Sequence, residues 1–248
     1  MDLVRSDDEV ILRDLQAEIY DELYLEKGIS AVEIEDQTIL MKLDFNDEDI
    51  NFLDFGCGTG RFTEQVKCKF PRLDVYGLDI SPRSIKVLKE KFNIVAKEFD
   101  ASKDSIRNQD FPKFKKILSM QMIQHLEKKG AIHAVNEIYT HLDSNGIAII
   151  ELYNHSGLVR ILERVKSRGQ IKKITRKDMF FEYRYGANEF KFFLEKYTPF
   201  ENVEVYGCQN ISRRWVNKFP VLKKIDLWLS NFSFSKYLGY YFIIVAKK

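Results

Sequence analysis

A glycine-rich turn directly after a short apolar run constrains the fold of this chain more than any other feature. The segment Asn51–Arg61 reads NFLDFGCGTGR and places Gly56, Gly58 and Gly60 at alternate positions. Glycine adopts positive φ without strain and lets a ligand lie close to the main chain. The apolar run predicts a buried strand, and a helix is predicted from Arg61 onward. A glycine turn between a strand and a helix is typical of a ligand loop at the carboxyl edge of a parallel sheet.

Strand-like and helix-like segments alternate along most of the 248 residues. This alternation predicts an α/β fold: a Rossmann-like, doubly wound, seven-stranded sheet, mostly parallel, with an antiparallel C-terminal strand. We expect a single domain over residues 1–248, with an N-terminal helical cap over 1–45 and a basic lid-like insertion over 155–186. The strands are predicted at residues 49–55, 73–78, 93–99, 115–120, 147–152, 203–206 and 240–246.

The spacing of the glycines argues against two common phosphate-binding loops. A dinucleotide loop reads GxGxxG, whereas here the third glycine comes one residue earlier, and a P-loop would end in GK[ST]. Acids also surround the turn: Asp54 lies just before it, Asp79 ends the second strand 19 residues after Gly60, and Asp100 follows the third strand. Such a rim repels a highly anionic ligand and favours an adenosine with a cationic centre.

The motifs DFGCGTG, LDIS, FDAS and ILSMQMIQHL occur in an order and spacing that resemble the class I S-adenosylmethionine (SAM)-dependent methyltransferase family. The resemblance covers residues 50–154 well and the remainder weakly. It implies SAM as cofactor and S-adenosylhomocysteine as product. It also implies a set of cofactor-binding residues: Asp54, Gly56, Cys57, Gly58, Gly60, Asp79, Ile80, Asp100, Ala101, Met120, Gln121 and Tyr20.

The resemblance also implies a role for each position. Asp54 would fix the loop and reach the methionyl amino group, and the backbone of residues 56–58 would pass the methionyl tail. Asp79 would accept from both ribose hydroxyls, and Ile80 would pack on the adenine. Asp100 and the Ala101 N–H would contact the adenine ring.

Other positions are predicted closer to the reacting methyl group or over it. Met120 and Gln121 would line the methyl end, and Tyr20 lies in a helix that would close over SAM. That tyrosine could equally be a plain packing residue.

Two histidines are candidate general bases, needed only if the acceptor arrives protonated. His125 follows the fourth strand and His155 follows the fifth, so both are expected at the edge where the acceptor would bind. Imidazole exchanges a proton near neutral pH, which suits this task. A packing or helix-capping role for His125 remains open.

The acceptor is constrained mainly by charge. Residues 1–154 carry a net charge of −9 and residues 155–248 carry +11, with a dense basic stretch at 160–177. The basic stretch is a solvated helix face, a site for an anionic acceptor, or an RNA contact; no nucleic-acid motif accompanies it. The C-terminal stretch 213–242, aromatic and basic, is read either as a helix and loop or as an element in peripheral contact with a membrane.

We therefore expect a methyltransferase for a small acceptor, such as a sugar or phenolic hydroxyl, phosphorylated or lipid-linked forms included. A protein or RNA methyltransferase and a non-catalytic SAM-binding interaction protein are the alternatives.

Three cysteines without CxxC spacing argue against a disulfide framework or a zinc site, and no metal site is predicted. Reduced thiols, an acidic N-terminus and the lack of a long apolar segment favour a cytoplasmic protein without a transmembrane segment.

Overall fold

The computed structural model describes residues 6–17, 29–46, 49–167 and 182–248. Two helices come first, α1 (Ser6–Ala17) and α2 (Ile29–Leu43). The predicted alternation follows in order: β1 (Asn51–Phe55), α3 (Arg61–Lys69), β2 (Asp74–Asp79), α4 (Pro82–Lys91), β3 (Val95–Glu98), β4 (Phe114–Met120), α5 (Lys128–His141) and β5 (Leu142–Tyr153). The last part comprises α6 (Leu158–Ser167), α7 (Ala187–Tyr197), β6 (Asn202–Cys208), α8 (Arg213–Lys218), α9 (Val221–Leu229) and β7 (Tyr241–Lys247).

The seven strands form one sheet in the order β3-β2-β1-β4-β5-β7-β6. The first five strands pair in parallel, whereas β7 runs antiparallel to both β5 and β6. The expected seven-stranded, mostly parallel sheet with an antiparallel C-terminal strand is thus confirmed. Because the order reverses between β1 and β4, the carboxyl ends of these two strands form the crevice in which such sheets bind ligands.

Helices cover both faces of the sheet. On one face, α5 and α7 pack against the sheet through residues such as Val135, Ile138 and Phe190. On the other face, α2, α3 and α8 contribute Ile39, Val66 and other buried residues. The sheet is therefore buried on both sides, as its continuous apolar strands require.

Local signals account for several element boundaries. Helix α4 begins at Pro82, and the Ser81 side chain accepts from the Ser84 N–H, as the sequence predicts for an N-cap. The predicted strand at 147–152 is longer in the structure and starts at Leu142. Its pairing with β4 is irregular there because the predicted turn intervenes, with Asn145 at φ 60°.

The connection between β6 and β7 is more helical than expected. Where one helix and a loop are predicted, the structure has α8, α9 and a short 3-10 turn at Ser233–Tyr237. Of the other predictions, the basic lid-like insertion lies largely outside the described residues, which lack 168–181, and Tyr20 lies outside them as well.

Candidate functional site

The glycine turn is hydrogen-bonded to the end of β2. The φ angles of Gly56, Gly58 and Gly60 are 91°, 53° and 90°, in the left-handed region that favours glycine. The N–H groups of Gly56 and Cys57 donate to the Leu78 carbonyl at 2.7 and 3.0 Å. A side chain at Gly60 would place its Cβ 2.2 Å from Leu88 Cδ1. The turn is therefore held close to β2 and α4, and among its three glycines Gly58 borders open space, since a Cβ there would meet nothing within 4 Å.

Asp79 connects the turn to the start of α4. Its Oδ2 accepts from the Gly58 N–H and its Oδ1 from the Ser81 N–H, both at 2.9 Å. The carboxylate is half-buried. A carboxylate offers several acceptor sites, which makes Asp79 a suitable residue type for binding two neighbouring hydroxyl groups of a ligand.

Helix α1 also contacts the start of α4, through the side chain of Asp14. Asp14 Oδ1 accepts from the Ser81 hydroxyl and from the Arg83 N–H, the latter at 3.2 Å. The N-terminal region is thereby attached to the start of α4, directly beside the crevice. The N-terminal helical cap over residues 1–45 stays a prediction.

Asp54 is buried beneath the turn. Its Oδ2 accepts from the Thr63 hydroxyl of α3 at 2.7 Å. Burial, with the nearby Asp79 charge adding to it, raises the pKa of Asp54 to about 6. Burial also raises the pKa of the Cys57 thiol, and the charges of Asp79 and Asp54 add to the effect. Cys57 is thus a small neutral side chain in this loop and carries no reactive thiolate.

Asp100 accepts hydrogen bonds within the turn that follows β3. Its Oδ1 accepts from the Ser102 N–H at 2.9 Å and from the Ser102 hydroxyl at 2.6 Å. Burial acts to raise the pKa of Asp100, but these hydrogen bonds and Lys103 outweigh it, and the pKa is lowered. Oδ2 faces Lys103 Nζ at 3.1 Å as an ion pair and accepts no hydrogen bond of good geometry from the described residues. Ala101, next to Asp100, is buried.

The end of β4 is strained at Gln121. This residue has φ 52°, which is uncommon for a side chain other than glycine, and its N–H donates to the Glu151 carbonyl at 2.8 Å. Such strain persists only where the surroundings enforce it, and it concentrates at functional sites. Arg61, at the start of α3, places Nη2 3.1 Å from the Met120 sulfur. Met120 thus contacts the residue that follows the glycine turn, and the predicted place of Met120 and Gln121 at the methyl end stays a prediction.

A buried polar cluster lies next to these two residues, and the sequence reading missed it. Arg61 pairs with Asp36 Oδ1 at 2.6 Å and with Glu35 Oε1 at 3.5 Å, both from α2. The Gln121 amide donates to Glu35 Oε1 at 2.9 Å, and the Gln209 amide reaches Glu35 Oε2 at 3.4 Å. Gln209 follows β6 and also has a positive φ, 53°. Two strained glutamines from separate strand ends thus hold one carboxylate of α2.

Glu151 of β5 lies beside this cluster and is fully buried, with 0% exposure. Neither of its carboxyl oxygens has a hydrogen-bond partner of good geometry among the described residues. Burial raises the pKa of Glu151 well above its usual range, and the Glu35 charge raises it further. The Gln121 amide opposes this shift, but its hydrogen bond goes to Glu35. The one sequence signal for Glu151 is an acid inside an otherwise apolar strand, IAIIEL.

The two candidate histidines converge on Glu182, which the sequence reading also missed. His155 Nε2 lies 2.7 Å from Glu182 Oε1, and Arg160 Nη2 lies 3.2 Å from the same oxygen. Burial acts to raise the pKa of Glu182, but His155, Arg160 and the more distant His125 together lower it. His125 itself lies in a short 3-10 turn, Ile123–His125, after β4.

Arg160 also stacks over tyrosine rings. Its guanidinium carbon lies 4.2 Å from the Tyr153 ring centroid and 4.9 Å from that of Tyr240. Imidazole, carboxylate and aromatic groups therefore lie together beyond the carboxyl ends of β4 and β5, where the acceptor is expected to bind. Among the described residues, no group of three or more His, Cys, Asp or Glu side chains could hold a metal ion.

Comparison with known proteins agrees with this geometry. Residues 52–146 match a family model described as a methyltransferase domain. Malonyl-[acyl-carrier protein] O-methyltransferase 2 of Ilyobacter polytropus is 29% identical over 126 residues, which cover 49% of this chain and 46% of the relative. The chain spans about half the length of the curated relatives it matches.

Two solved structures share the fold. The plantazolicin methyltransferase BamL, in complex with a substrate analogue and S-adenosylhomocysteine, superposes with a TM-score of 0.63 at 17% identity and covers 97% of both chains. A SAM-dependent methyltransferase from Thermotoga maritima superposes with a TM-score of 0.62 at 16% identity, over 94% of this chain and 98% of that one. Residues 52–146 thus match a methyltransferase domain, and the chain shares the fold of solved SAM-dependent methyltransferases.

Proposed function

We propose that this protein binds SAM in the crevice beside the glycine turn and transfers its methyl group to a small-molecule acceptor. The observation that carries the proposal is the joint geometry of Asp79 and the turn. The carboxylate holds the backbone of Gly58, and a carboxylate is the side chain that can accept from both hydroxyls of a ribose. A Cβ at Gly58 would meet nothing within 4 Å, so the main chain is open to close approach there.

The charges around the crevice support a cationic cofactor over a phosphorylated one. Asp54 and Asp79 both lie at the turn, and each raises the cost of bringing a phosphate there. The sulfonium and the ammonium group of SAM are favoured by the same field. When bound, SAM supplies an electrophilic methyl group, so the protein has mainly to orient the acceptor and exclude water.

For an acceptor that arrives protonated, His155 is better placed than His125 to remove the proton. Its Nε2 is engaged by Glu182 at 2.7 Å, which orients the ring and stabilises the imidazolium form. A carboxylate that orients a histidine is the arrangement that general-base catalysis uses in other enzymes. His125 is near Glu182, but no described hydrogen bond joins the two.

The acceptor class is proposed from the site and not from the relatives' names, because identities of 25–29% over part of the chain do not transfer a substrate. The edge beyond β4 and β5 offers tyrosine rings, an arginine and two histidines. This lining suits a hydroxyl-bearing acceptor with an aromatic or sugar ring and an anionic substituent. Such an acceptor is in keeping with the positive charge of residues 155–248.

Calorimetry with SAM and with S-adenosylhomocysteine, followed by mass spectrometry of a cell extract incubated with SAM, tests the proposal. We expect both compounds to bind, and one or more small molecules to gain the mass of a methylene unit only when active protein is present. Binding without any transfer would instead make the chain a SAM-binding interaction protein. A labelled polypeptide or RNA after incubation with radiolabelled SAM would replace the small acceptor with a macromolecule.

A further inference from the structure

An apolar stripe faces solvent along α9, in the connection between β6 and β7. Val221, Ile225 and Trp228 follow one another at spacings of four and three residues, and Phe232 continues the same side just after the helix. All four are exposed. The opposite side of α9 holds the buried Asp226. An amphipathic surface helix normally turns its apolar side inward, and here the outward side is apolar as well.

Helix α8 extends this apolar surface. Trp215 and Phe219 stack with their ring centroids 5.8 Å apart and their planes at 16°, and both are exposed. The chain has two tryptophans, and both lie here, with Trp215 51% and Trp228 58% exposed. We call Trp215, Phe219, Val221, Ile225, Trp228 and Phe232 the aromatic face. A contiguous apolar surface of this kind marks an interaction site.

Cations predominate around the aromatic face, although Lys223 of α9 pairs with the exposed Glu33 of α2. Arg214, Lys218 and Lys224 are exposed, and none forms an ion pair with the residues that the structure describes. Within residues 211–240 the only carboxylate is Asp226. It is fully buried and accepts from the backbone N–H groups of residues 210 and 211 at 2.9 and 2.8 Å. The face therefore presents cations and aromatic rings with no exposed acid of its own.

A second exposed apolar turn adjoins this connection. Leu158, Ile161 and Leu162 of α6 are exposed at helical spacing. The N–H of Val159 donates to the Leu238 carbonyl at 3.0 Å, which fixes the start of α6 against the end of the β6–β7 connection. The apolar surface thus continues towards the residues that follow β5.

The same surface lies next to the acceptor edge. The Asn154 amide, one residue before His155, donates to the Lys236 carbonyl at 2.6 Å, and the Asn154 N–H donates to the Tyr240 carbonyl at 3.0 Å. The end of the β6–β7 connection, which follows the aromatic face in the chain, therefore lies close to His155.

We propose that the aromatic face docks on the surface of an anionic lipid bilayer. Tryptophan and phenylalanine side chains next to lysine and arginine are the composition of interfacial elements, which enter the headgroup region while their cations contact anionic lipids. A protein partner of ordinary composition would not require cations to predominate around the patch. No helix in the described parts of the chain is long and apolar enough to cross a membrane, so the contact is peripheral.

The two tryptophans allow a direct test on the full-length protein. Vesicles of phosphatidylcholine alone and vesicles with about 30 mol% phosphatidylglycerol are titrated into the protein while tryptophan emission and co-sedimentation are followed. We expect a blue shift and sedimentation with the anionic vesicles only, both weakened by salt. The assay needs neither SAM nor an acceptor, so its outcome is independent of the proposed function.

Matched variants test whether vesicle binding depends on the aromatic face or on the remaining surface. Ile225→Glu should weaken vesicle binding at least about tenfold. The double variant Lys218→Gln/Lys224→Gln should weaken it about 25-fold, since each cation near an anionic surface contributes roughly fivefold. Ile50→Glu and Lys89→Gln, exposed positions elsewhere on the molecule, should bind as the wild type does.

Three outcomes would overturn the proposal. The first is no binding to either vesicle, and the second is binding that the face variants leave unchanged. The third is a dimer in sedimentation velocity that Ile225→Glu dissociates while lipid binding is absent, which would make the face an interface between two copies of the chain.

Discussion

Replacing Asp54 by asparagine should remove a pH dependence of folding stability that the structure builds into the base of the glycine turn. Burial raises the pKa of Asp54 from 3.8 to about 6. Each pKa unit corresponds to about 1.4 kcal/mol, so ionising Asp54 costs the folded protein about 3 kcal/mol relative to the unfolded chain. Because the folded pKa is the higher one, this contribution is fully present below about pH 4 and is lost as the pH rises through about 6.

Asparagine has the same shape, cannot ionise and still offers an oxygen to the Thr63 hydroxyl. Urea unfolding of the cofactor-free protein should therefore show the stability of the wild type falling by about 2 kcal/mol relative to Asp54→Asn between about pH 4.5 and pH 7.5, the rest being lost below pH 4.5. Asp143→Asn is the control. Lys115 lowers the pKa of this carboxylate, so its contribution to stability changes only below about pH 4, and Asp143→Asn should run parallel to the wild type over the same range. Parallel curves for the wild type and Asp54→Asn would show that the burial argument is mistaken.

Four further predictions concern the turn and its neighbours. Asp79→Ala should weaken SAM binding by about 1.5–3 kcal/mol in calorimetry, because two hydroxyls lose their acceptor; unchanged affinity would remove Asp79 from the ribose site. Gly60→Ala should lower the free energy of unfolding by about 1–3 kcal/mol more than Gly58→Ala, since only the former meets a neighbour, and equal losses would contradict this. Glu151→Gln should leave stability at neutral pH unchanged or raise it, because burial disfavours the charged carboxylate that the amide replaces; a large loss of stability would mean that the carboxylate is ionised and paired. His155→Asn should lower kcat for a hydroxyl acceptor about 100-fold or more while leaving SAM affinity intact, and retained turnover at all pH values would make it structural.

The elements predicted best from the sequence are those whose cause is local. The glycines of the turn meet a local need for positive φ, and the Ser81 cap accepts from the N–H of Ser84 only three residues further on. The sheet and its antiparallel last strand followed from the alternation of these elements, and the topology confirms both.

The site contacts that the sequence did not predict join residues far apart in the chain. Glu35 meets Gln209 across 174 positions of the chain, and no local pattern shows that α2 delivers acids to the ends of β4 and β6. Glu182 joins His155 in the same non-local way, 27 residues apart. The outward apolar stripe of α9 has helical spacing in the sequence, but spacing alone does not reveal which side of a helix faces the core.

The central claim is that the crevice beside the glycine turn accepts SAM. A crystal structure with S-adenosylhomocysteine tests it most directly. We expect the ribose hydroxyls within hydrogen-bond distance of the Asp79 carboxylate and the aminocarboxyl tail against the backbone of Gly56 and Gly58. A ligand bound elsewhere, or a crevice left empty at saturating concentration, would contradict the account.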